Sequence, residues 1–276
     1  MGTANDRQRV RAPSRVAGFF VLTGDLHVHA FPGDGALTAW DLRAEARRRS
    51  LDVITISNHN HMVAARIGRA VLRQDQLPIV IPGQEVTARD FHMIALGIER
   101  TVNADQSAAS VIDSVHAQGG VAIAAHPVSA YSRGYDSTAL ARLDGTEAAH
   151  PAGKDGYRDE LLAFYARTLQ RSRPIAAIGS SDFHFGAPLG LCRTVLFVNE
   201  ISRAGVLEAI RAGRTVAVDL NGAMYGDRGL ISLVDLQAIL PPARAGVPAI
   251  LSTIFVWVGL IGVALLGGTR RGSVLP

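Results

Sequence analysis

The chain has 276 residues, of which 48% are apolar and 19% are charged, so it is long enough for one sizeable core or one barrel of roughly 200 to 250 residues. Its net charge of +4 comes from scattered arginines, which argues against a nucleic-acid-binding module and leaves a mild preference for anionic substrates open. The single cysteine, Cys192, excludes an internal disulfide and a thiolate metal site, so any metal must have nitrogen and oxygen ligands.

Short apolar runs and helical patterns alternate along the chain. A helix starts at Thr38, which forms a capping box with Asp41 three residues later. The polar, glycine-rich segment 129–156 predicts a long active-site loop that contains a short helix and a strand near Glu147. The other predicted strands are 16–22, 51–56, 79–81, 91–96, 121–125, 175–178 and 194–198, and the other predicted helices are 64–72, 105–118, 157–171 and 202–212.

Five short polar clusters follow apolar, β-branched runs and contain six of the nine histidines. Imidazole and carboxylate are the ligands that divalent Zn, Mn and Fe use. Because strand ends that are distant in sequence can meet at one edge of a sheet, the pattern predicts a metal enzyme. The clusters are Asp25-Leu26-His27-Val28-His29, Asn58-His59-Asn60-His61, Gln84-Glu85, Ala125-His126-Pro127 and Ser181-Asp182-Phe183-His184.

The alternation of strands and helices predicts an α/β fold with a parallel sheet. In a barrel of the (β/α) type, polar residues at the carboxyl ends of successive strands form the active site, whereas an open doubly wound sheet concentrates its ligands at one switch point. At least five strand ends contribute here, so the sequence favours a closed barrel. It contains no glycine-rich phosphate loop of the Walker or dinucleotide type.

The C-terminal part of the chain predicts a membrane-spanning helix. The segment 245–269 has no charged residue, and 250–266 is almost wholly apolar. With its flanks this segment is long enough to cross most of a hydrocarbon layer of about 30 Å. The apolar run 16–22 is too short for a signal peptide and leads into a strand, so we predict a single-pass C-terminal anchor with the catalytic domain in the cytoplasm.

The polar clusters also resemble a known family. The segments GDLHVHAFPGDGALT, ISNHNH, GQEV, HMIALG, AAHP and GSSDFH are similar, in this order, to the successive motifs of the PHP (polymerase and histidinol phosphatase) superfamily of metal-dependent hydrolases. The resemblance covers about residues 18 to 200. It implies a distorted (β/α)7 barrel with two or three divalent metal ions, which are Mn, Zn or Fe.

The resemblance also implies which residues hold the ions, with Glu85 as the bridging ligand. The first ion is held by His27, His29, Glu85 and Asp182, the second by Asp34, His59 and His184, and the third by Glu85, His92 and His126. The family usually has Asp-His where this chain has Asn58-His59, which removes a negative charge and predicts a lower metal affinity or an altered metal preference.

Two of these residues have a structural alternative. His92 lies in the apolar strand FHMIALG, where a hydrogen-bonded core histidine would also fit. Asp34 lies in Pro-Gly-Asp-Gly, where aspartate suits a turn for backbone reasons alone.

A bridging carboxylate with flanking imidazoles predicts hydrolytic chemistry. It would hold two ions about 3.5 to 4 Å apart, lower the pKa of a shared water and leave positions for phosphoryl oxygens. We take Glu85 and Asp182 as central catalytic residues. The candidates for a general acid are His61 and His150, and the candidates for an anion clamp are Arg133, Lys154, Arg158 and Arg193.

Three functions follow from this reasoning. The first is a phosphoesterase that acts on nucleotides, small phosphate esters or the ends of short nucleic acids. The second is hydrolysis of a carboxyl ester, amide or carbamate, as in a carbaryl-hydrolase-like branch of PHP-like enzymes, and the third is a non-catalytic, membrane-anchored metal-binding scaffold.

The predicted partners are a small phosphorylated substrate or nucleic-acid end and the membrane, with no protein partner evident. The predicted segments are a basic arm (1–17), a PHP-like metallohydrolase domain (18–222), a juxtamembrane linker (223–246) and a transmembrane helix (247–269).

Overall fold

The protein was analysed as a computed structural model, which describes residues 12–73, 76–151 and 156–239. The strands are β1 (Ser14–Val16), β2 (Phe19–Asp25), β3 (Val53–Ile56), β4 (Ile79–Thr87), β5 (His92–Leu96), β6 (Val121–Ala124), β7 (Gly145–Ala149), β8 (Ala176–Gly179), β9 (Arg193–Val198), β10 (Thr215–Val218) and β11 (Met224–Gly226). The helices are α1 (Ala39–Arg48), α2 (Val63–Val71), α3 (Ala108–His116), α4 (Ser137–Arg142), α5 (Tyr157–Thr168), α6 (Arg203–Arg211), α7 (Arg228–Ile231) and α8 (Leu236–Ile239).

The strands form one mixed sheet in the order β11-β10-β9-β2-β3-β4-β5-β6-β7-β8, with β1 paired to β2. The runs β2-β3-β4 and β6-β7-β8 are parallel, whereas β4-β5, β5-β6, β2-β9, β9-β10 and β10-β11 are antiparallel. The prediction of a parallel sheet is therefore correct only in part. One reason lies between β4 and β5, where the short connection 88–91 cannot make the crossover that a parallel pair needs.

The sheet curves into a nearly closed barrel, and its seam lies between β8 and β9. At the seam, the Gly179 N–H donates to the Thr194 hydroxyl at 3.0 Å, and the hydroxyl donates back to the Gly179 carbonyl at 2.8 Å. A Cβ on Gly179 would lie 2.3 Å from the Arg193 carbonyl oxygen. The close approach of β8 and β9 therefore requires glycine at position 179.

Apolar side chains fill both faces of this sheet. One cluster packs α1 to α5 against the outside of the sheet and includes Leu42, Ile56 and Phe164. A second cluster collects side chains from the opposite face of β2 to β9, including Leu22 and Ile81, together with the buried face of α6. A closed sheet has a single inner face, so this second cluster is the barrel interior.

Most predicted elements are present, and two regions differ from the prediction. In the segment 129–156 the predicted short helix and the predicted strand near Glu147 are present as α4 and β7, but β7 is an integral strand of the sheet, between β6 and β8. Residues 224–239, within the predicted linker, form β11, α7 and α8. Apolar residues of this segment pack against Val195, Phe197 and Val216 of β9 and β10.

The predicted membrane anchor must be corrected. Among the described residues, no helix combines the length and the apolar character needed to cross a bilayer. The segment 247–269, to which the spanning helix was assigned, lies outside those residues. The predicted α/β barrel with a single-pass C-terminal anchor is therefore revised to a nearly closed mixed-sheet barrel, and the membrane localisation lacks support.

Candidate metal centre

The structure brings all nine predicted metal ligands to one rim of the barrel. His27 and His29 follow β2, His59 follows β3, Glu85 lies near the end of β4, His126 follows β6, and Asp182 and His184 follow β8. His92 reaches the same rim from the start of a strand, because β5 is antiparallel to β4 and pairs His92 with Thr87. The rim is thus built from the ends of parallel strands and the turn of one hairpin.

Four of these residues form a buried cluster, His27, Glu85, His126 and Asp182, whose ligand atoms all lie within 4.8 Å of one another. His27 Nε2 is 3.2 Å from Glu85 Oε2 and 3.3 Å from Asp182 Oδ1. Three of the four side chains are almost inaccessible to solvent. The cluster therefore presents two carboxylates and two imidazoles toward one small volume.

Four other residues form an outer cluster, His29, Asp34, His59 and His184, which meets the same distance criterion. His29 Nδ1 is 3.1 Å from Asp34 Oδ2, and the ring of His29 stacks on that of His184 with centroids 3.8 Å apart. His59 Nε2 lies 3.6 Å from Asp34 Oδ2. Asp34 is therefore part of a histidine cluster, in addition to occupying its turn.

The carboxylate of Glu85 joins the two clusters. Its Oε1 lies 2.9 Å from His92 Nδ1 and 3.1 Å from His126 Nε2. Its Oε2 lies within 3.3 Å of a ring nitrogen in each of three other histidines, His27, His29 and His59. The two oxygens of one carboxylate therefore face different sets of imidazoles, which is the arrangement expected of a bridging ligand.

The buried imidazoles and carboxylates of this centre shift one another's pKa values. Burial disfavours protonated imidazole, but the carboxylates of Asp182, Asp34 and Glu85 outweigh it and raise the pKa of His29 to about 10. Burial likewise opposes ionised Glu85, but His27 and the other imidazoles hold the pKa of Glu85 well below its ordinary value. In the ion-free protein, imidazolium groups therefore supply the positive charge that balances the carboxylates.

Divalent ions fit this set of residues. Among the described residues, three buried ligand atoms have no hydrogen-bond partner of good geometry, namely Glu85 Oε2, His92 Nδ1 and Asp182 Oδ1. An unpaired buried polar atom is costly unless it coordinates an ion. The donors are imidazole nitrogen and carboxylate oxygen, which suit Mn, Fe and Zn. The clusters can therefore hold divalent metal ions.

Glu147 of β7 supports the buried cluster, a role that no motif in the sequence indicates. Its Oε1 lies 3.0 Å from His27 Nδ1 and accepts a hydrogen bond from the Ser180 hydroxyl, and its Oε2 accepts one from the His126 N–H. Burial opposes ionisation, but the charge of His27 outweighs it and lowers the pKa of Glu147 to about 2. A carboxylate that accepts from Nδ1–H leaves Nε2 free to bind a metal.

Two ligands lie on unusual backbone that buried carboxylates hold in place. His126 has a φ of +26° and Asp182 a φ of +48°, in the left-handed region that costs a non-glycine residue about 1 to 3 kcal/mol. Glu147 accepts from the His126 N–H, and Asp25 accepts from the N–H of Ser181, next to Asp182, at 3.0 Å. Burial raises the pKa of Asp25 to about 6 against several hydrogen bonds that lower it.

Asn58 orients Asp34 through its side-chain amide. Asn58 Nδ2 donates to Asp34 Oδ1 at 2.6 Å and to the Ala30 carbonyl at 2.7 Å, and its Oδ1 accepts from the Ala30 N–H at 3.2 Å. An aspartate at position 58 would have no proton to donate to Asp34 when both are ionised. The amide in this chain is thus matched to the carboxylate at position 34.

Two of the predicted catalytic residues do not belong to the clusters. Arg193 was predicted as an anion clamp, but it is 2% exposed and its guanidinium donates to the carbonyls of Gly190 and Ile239 at 2.9 and 3.0 Å. Its role is structural, and this prediction is corrected. His61 is half-buried at the edge of the loop that carries Asp34, where a Cβ on Gly33 would lie 3.0 Å from its ring.

His150 lies closer to the centre than His61. Its Nε2 is 3.6 Å from Asp182 Oδ2, and its side chain is only 6% exposed. Its ring lies 5.4 Å from that of His126 and 5.5 Å from that of Tyr157. Tyr131 stacks on His92 at 4.2 Å. His150 and His61 are both general-acid candidates in the sequence, whereas the aromatic neighbours of His150 lie in 129–157, which contains no recognisable motif.

Comparison with known proteins gives the same fold and a matching segment. A family model described as PHP-associated matches residues 164–215, which include Asp182 and His184. An uncharacterized protein of Methanocaldococcus jannaschii is 25% identical over 149 residues, which is 49% of this chain and 85% of that protein.

Two solved structures share the fold at low sequence identity. A two-domain protein from Bacteroides vulgatus, described as containing a predicted PHP-like metal-dependent phosphoesterase, superposes with a TM-score of 0.63 at 20% identity, covering 82% of this chain and 73% of its own. PsfC from Pseudomonas syringae superposes with a TM-score of 0.53 at 15% identity, covering 79% of this chain and 97% of its own.

The motif series predicted a barrel with metal ligands at one rim, and the structure has such a rim on a fold shared with a PHP-like protein. The PHP-associated segment includes two of the histidine-cluster residues. These findings show that residues 164–215 match a PHP-associated family model and that the barrel has the fold of a protein containing a predicted PHP-like domain, in agreement with the resemblance of the motifs.

Proposed function

We propose that this protein is a metal-dependent phosphoesterase that hydrolyses phosphate mono- or diesters. The observation that carries the proposal is the position of Glu85, whose two carboxylate oxygens face two different groups of imidazoles. A bridged pair of sites is suited to the two oxygens of a phosphoryl group, whereas structural metal sites are usually closed and mononuclear. The fold is shared with a protein from Bacteroides vulgatus that contains a predicted PHP-like metal-dependent phosphoesterase, which supports the same reaction class.

Residues of the centre would have different roles according to their position. The buried cluster and the outer cluster would each hold divalent metal, with Glu85 shared between them. Bound divalent ions would supply an activated water and positive charge for the phosphoryl oxygens. Glu147 and Asn58 keep His27 and Asp34 in their ligating orientations.

His150, Tyr131 and Tyr157 form an aromatic wall on the β6 and β7 side of the centre. His150 Nε2, at 3.6 Å from Asp182 Oδ2, is placed to contact a group bound there. His150 is therefore a better candidate than His61 to contact the leaving group.

The experiment uses the full chain, stripped of metal and reloaded with Mn²⁺. Release of phosphate from a panel of nucleotides and sugar phosphates is compared with hydrolysis of an aryl ester and an aryl carbamate. We expect phosphate release from at least one phosphate ester and little turnover of the carboxyl compounds. Activity confined to the ester or carbamate would refute the proposal and favour the second function of the sequence analysis.

Two histidine variants make this test specific. His27→Ala should abolish both turnover and tight metal binding, because His27 contacts both carboxylates of the buried cluster. His116→Ala is the matched control, because His116 is paired with Asp144 and belongs to neither cluster. Equal losses in the two variants would show that the clusters are not the reactive site.

A further inference from the structure

The loop 180–192, between β8 and β9, carries two of the predicted metal ligands, Asp182 and His184. It contains neither a helix nor a strand that would fix its path. Asp182 has a φ of +48°, a conformation that persists in a non-glycine residue only where the surrounding structure holds it. Hydrogen bonds to other parts of the barrel must therefore keep the two ligands in place.

The buried carboxylate of Asp25 binds both ends of this loop. At the start of the loop, the Ser181 N–H donates to Asp25 Oδ1 at 3.0 Å, and the Ser181 hydroxyl donates to Oδ2. Near the end of the loop, the Gly190 N–H donates to Oδ2 at 2.7 Å. Asp25 is the last residue of β2, so a single carboxylate ties the loop to the strand that leads to His27.

The guanidinium of Arg193 binds the same glycine through its carbonyl. Arg193 Nε donates to the Gly190 carbonyl at 2.9 Å, and Nη1 donates at 3.0 Å to the carbonyl of Ile239, the last residue of α8. Gly190 has a φ of +69°, and a Cβ there would lie 3.0 Å from Leu51 Cδ1. Both polar groups of this glycine are therefore bound, in a conformation that favours glycine.

These contacts form one continuous chain of hydrogen bonds from α8 to the residue before Asp182. Every member of the chain is buried, and the members are Ile239, Arg193, Gly190, Asp25 and Ser181. In a buried environment a hydrogen bond is electrostatically stronger than in water. A change at Arg193 should therefore alter the position of the loop and of its ligands.

We propose that Arg193 is a positioning residue of the metal centre. It acts through Gly190 and Asp25, which hold the loop that carries Asp182. The inference rests on the metal centre of the proposed function and is independent of the ester that is hydrolysed. It also gives α8 a part in the centre, although this helix contains none of the predicted ligands, because its last carbonyl holds the guanidinium.

The test compares Arg193→Met with Arg171→Met in the full chain. Arg171 is a matched control before the start of β8, because its guanidinium also donates to backbone carbonyls, those of Leu140, Arg173 and Pro174. Burial lowers the pKa of both arginines to about 10. Calorimetry measures Mn²⁺ affinity, electron paramagnetic resonance reports the geometry of bound Mn²⁺, and thermal melting checks the fold. None of these measurements requires turnover.

We expect Arg193→Met to bind Mn²⁺ about 10-fold more weakly, the lower end of the loss typical for residues that orient metal ligands, and to change the Mn²⁺ spectrum. Arg171→Met should melt at a lower temperature and keep the affinity and the spectrum of the wild type. Arg193→Met combined with Asp25→Asn should weaken binding by less than the product of the two single effects, because both residues act on one loop.

Wild-type affinity and spectrum in a folded Arg193→Met would overturn the proposal. Equal changes in Arg193→Met and Arg171→Met, or fully independent effects of Arg193→Met and Asp25→Asn, would overturn it as well. If Arg193→Met does not fold, Arg193→Gln decides, because its shorter side chain with a single amide nitrogen cannot hold both carbonyls. Wild-type Mn²⁺ affinity in that variant would then overturn the proposal.

Failure of this proposal and failure of the phosphoesterase are distinguishable. Weaker Mn²⁺ binding with an altered spectrum in Arg193→Met supports the positioning role even if the wild-type chain releases no phosphate, a result that refutes only the phosphoesterase. A wild-type chain that binds no Mn²⁺ would refute both.

Discussion

Glu147→Gln tests whether a buried carboxylate outside the clusters prepares the metal centre. Glu147 receives hydrogen bonds from three donors, His27 Nδ1–H, the His126 N–H and the Ser180 hydroxyl. A glutamine has the same shape but only one acceptor oxygen. Whichever way its amide turns, its NH₂ group faces at least one of these donors.

The size of the effect follows from these contacts. Loss of a partner that orients a metal-binding histidine typically lowers metal affinity about 10-fold to 100-fold, which is about 1.4 to 2.7 kcal/mol. A buried donor left unsatisfied costs about 1 to 3 kcal/mol of folding free energy. We therefore expect Glu147→Gln to bind Mn²⁺ 10-fold to 100-fold more weakly and to melt at a lower temperature.

Asp144→Asn is the matched control at the other end of β7. Asp144 is also buried, and it also accepts from a histidine, His116, at 2.7 Å and from a backbone N–H, that of Ala122, at 2.9 Å. Its substitution should lower the melting temperature and leave Mn²⁺ affinity within about twofold of the wild type. Calorimetric titration with Mn²⁺ measures the affinity of both variants. Wild-type Mn²⁺ affinity in Glu147→Gln, or an equal loss of affinity in the two variants, would refute the role of Glu147 in preparing the metal centre.

Three further predictions follow from the described geometry. In the ion-free protein the pKa of His29 is raised to about 10, so at pH 7 its ring carries a proton that an ion must displace. The affinity for Mn²⁺ should therefore rise with pH up to about 10. Calorimetry in two buffers of different ionisation enthalpy should show that Mn²⁺ binding releases protons. Binding without proton release would contradict a protonated His29 in the ion-free protein. Asn58→Asp puts a second carboxylate against Asp34, so the ion-free variant should lose about 1 to 3 kcal/mol of stability at pH 7. The loss should shrink in acid, once one of the two carboxyls is protonated and can donate to the other. Denaturant unfolding of variant and wild type at neutral and at acid pH checks this, and a difference that does not change with pH contradicts it. Burial raises the pKa of Cys192 to about 12, so a thiol reagent at pH 8 should label it only after unfolding, and rapid labelling of the native chain would be inconsistent with its buried position.

Local patterns in the sequence were sufficient to predict the elements that carry the metal ligands. Apolar runs followed by His or Asp mark strand ends, and the Thr38 cap is present, with its hydroxyl accepting from the Asp41 N–H. The convergence of these strand ends on one rim follows from barrel geometry alone. What the pattern does not contain is strand direction, so the antiparallel pairing of β4 with β5 was missed.

Contacts between residues distant in the sequence account for the remaining differences between the predicted and the observed site. Arg193 looks like a loop cation in the sequence, but it lies buried at the start of β9, where its Nε and Nη1 donate to the carbonyls of Gly190 and Ile239. Glu147 could have been recognised, because a lone carboxylate in the apolar strand GTEAA must find a buried partner. The length and hydropathy of 247–269 predicted a membrane helix from composition alone, and the described residues lend that prediction no support.

The barrel seam has a consequence for how the protein responds to ions. Where other neighbouring strands share a ladder of amide hydrogen bonds, β8 and β9 meet through the hydroxyl of Thr194. Asp182 and His184 follow β8 on one side of this joint, whereas His27 and His29 follow β2, which pairs with β9 on the other side. An ion bound by both Asp182 and His27 would link the two sides of the joint between β8 and β9 and stabilise it against opening. Amide hydrogen exchange in 176–179 should therefore slow markedly when the protein binds metal.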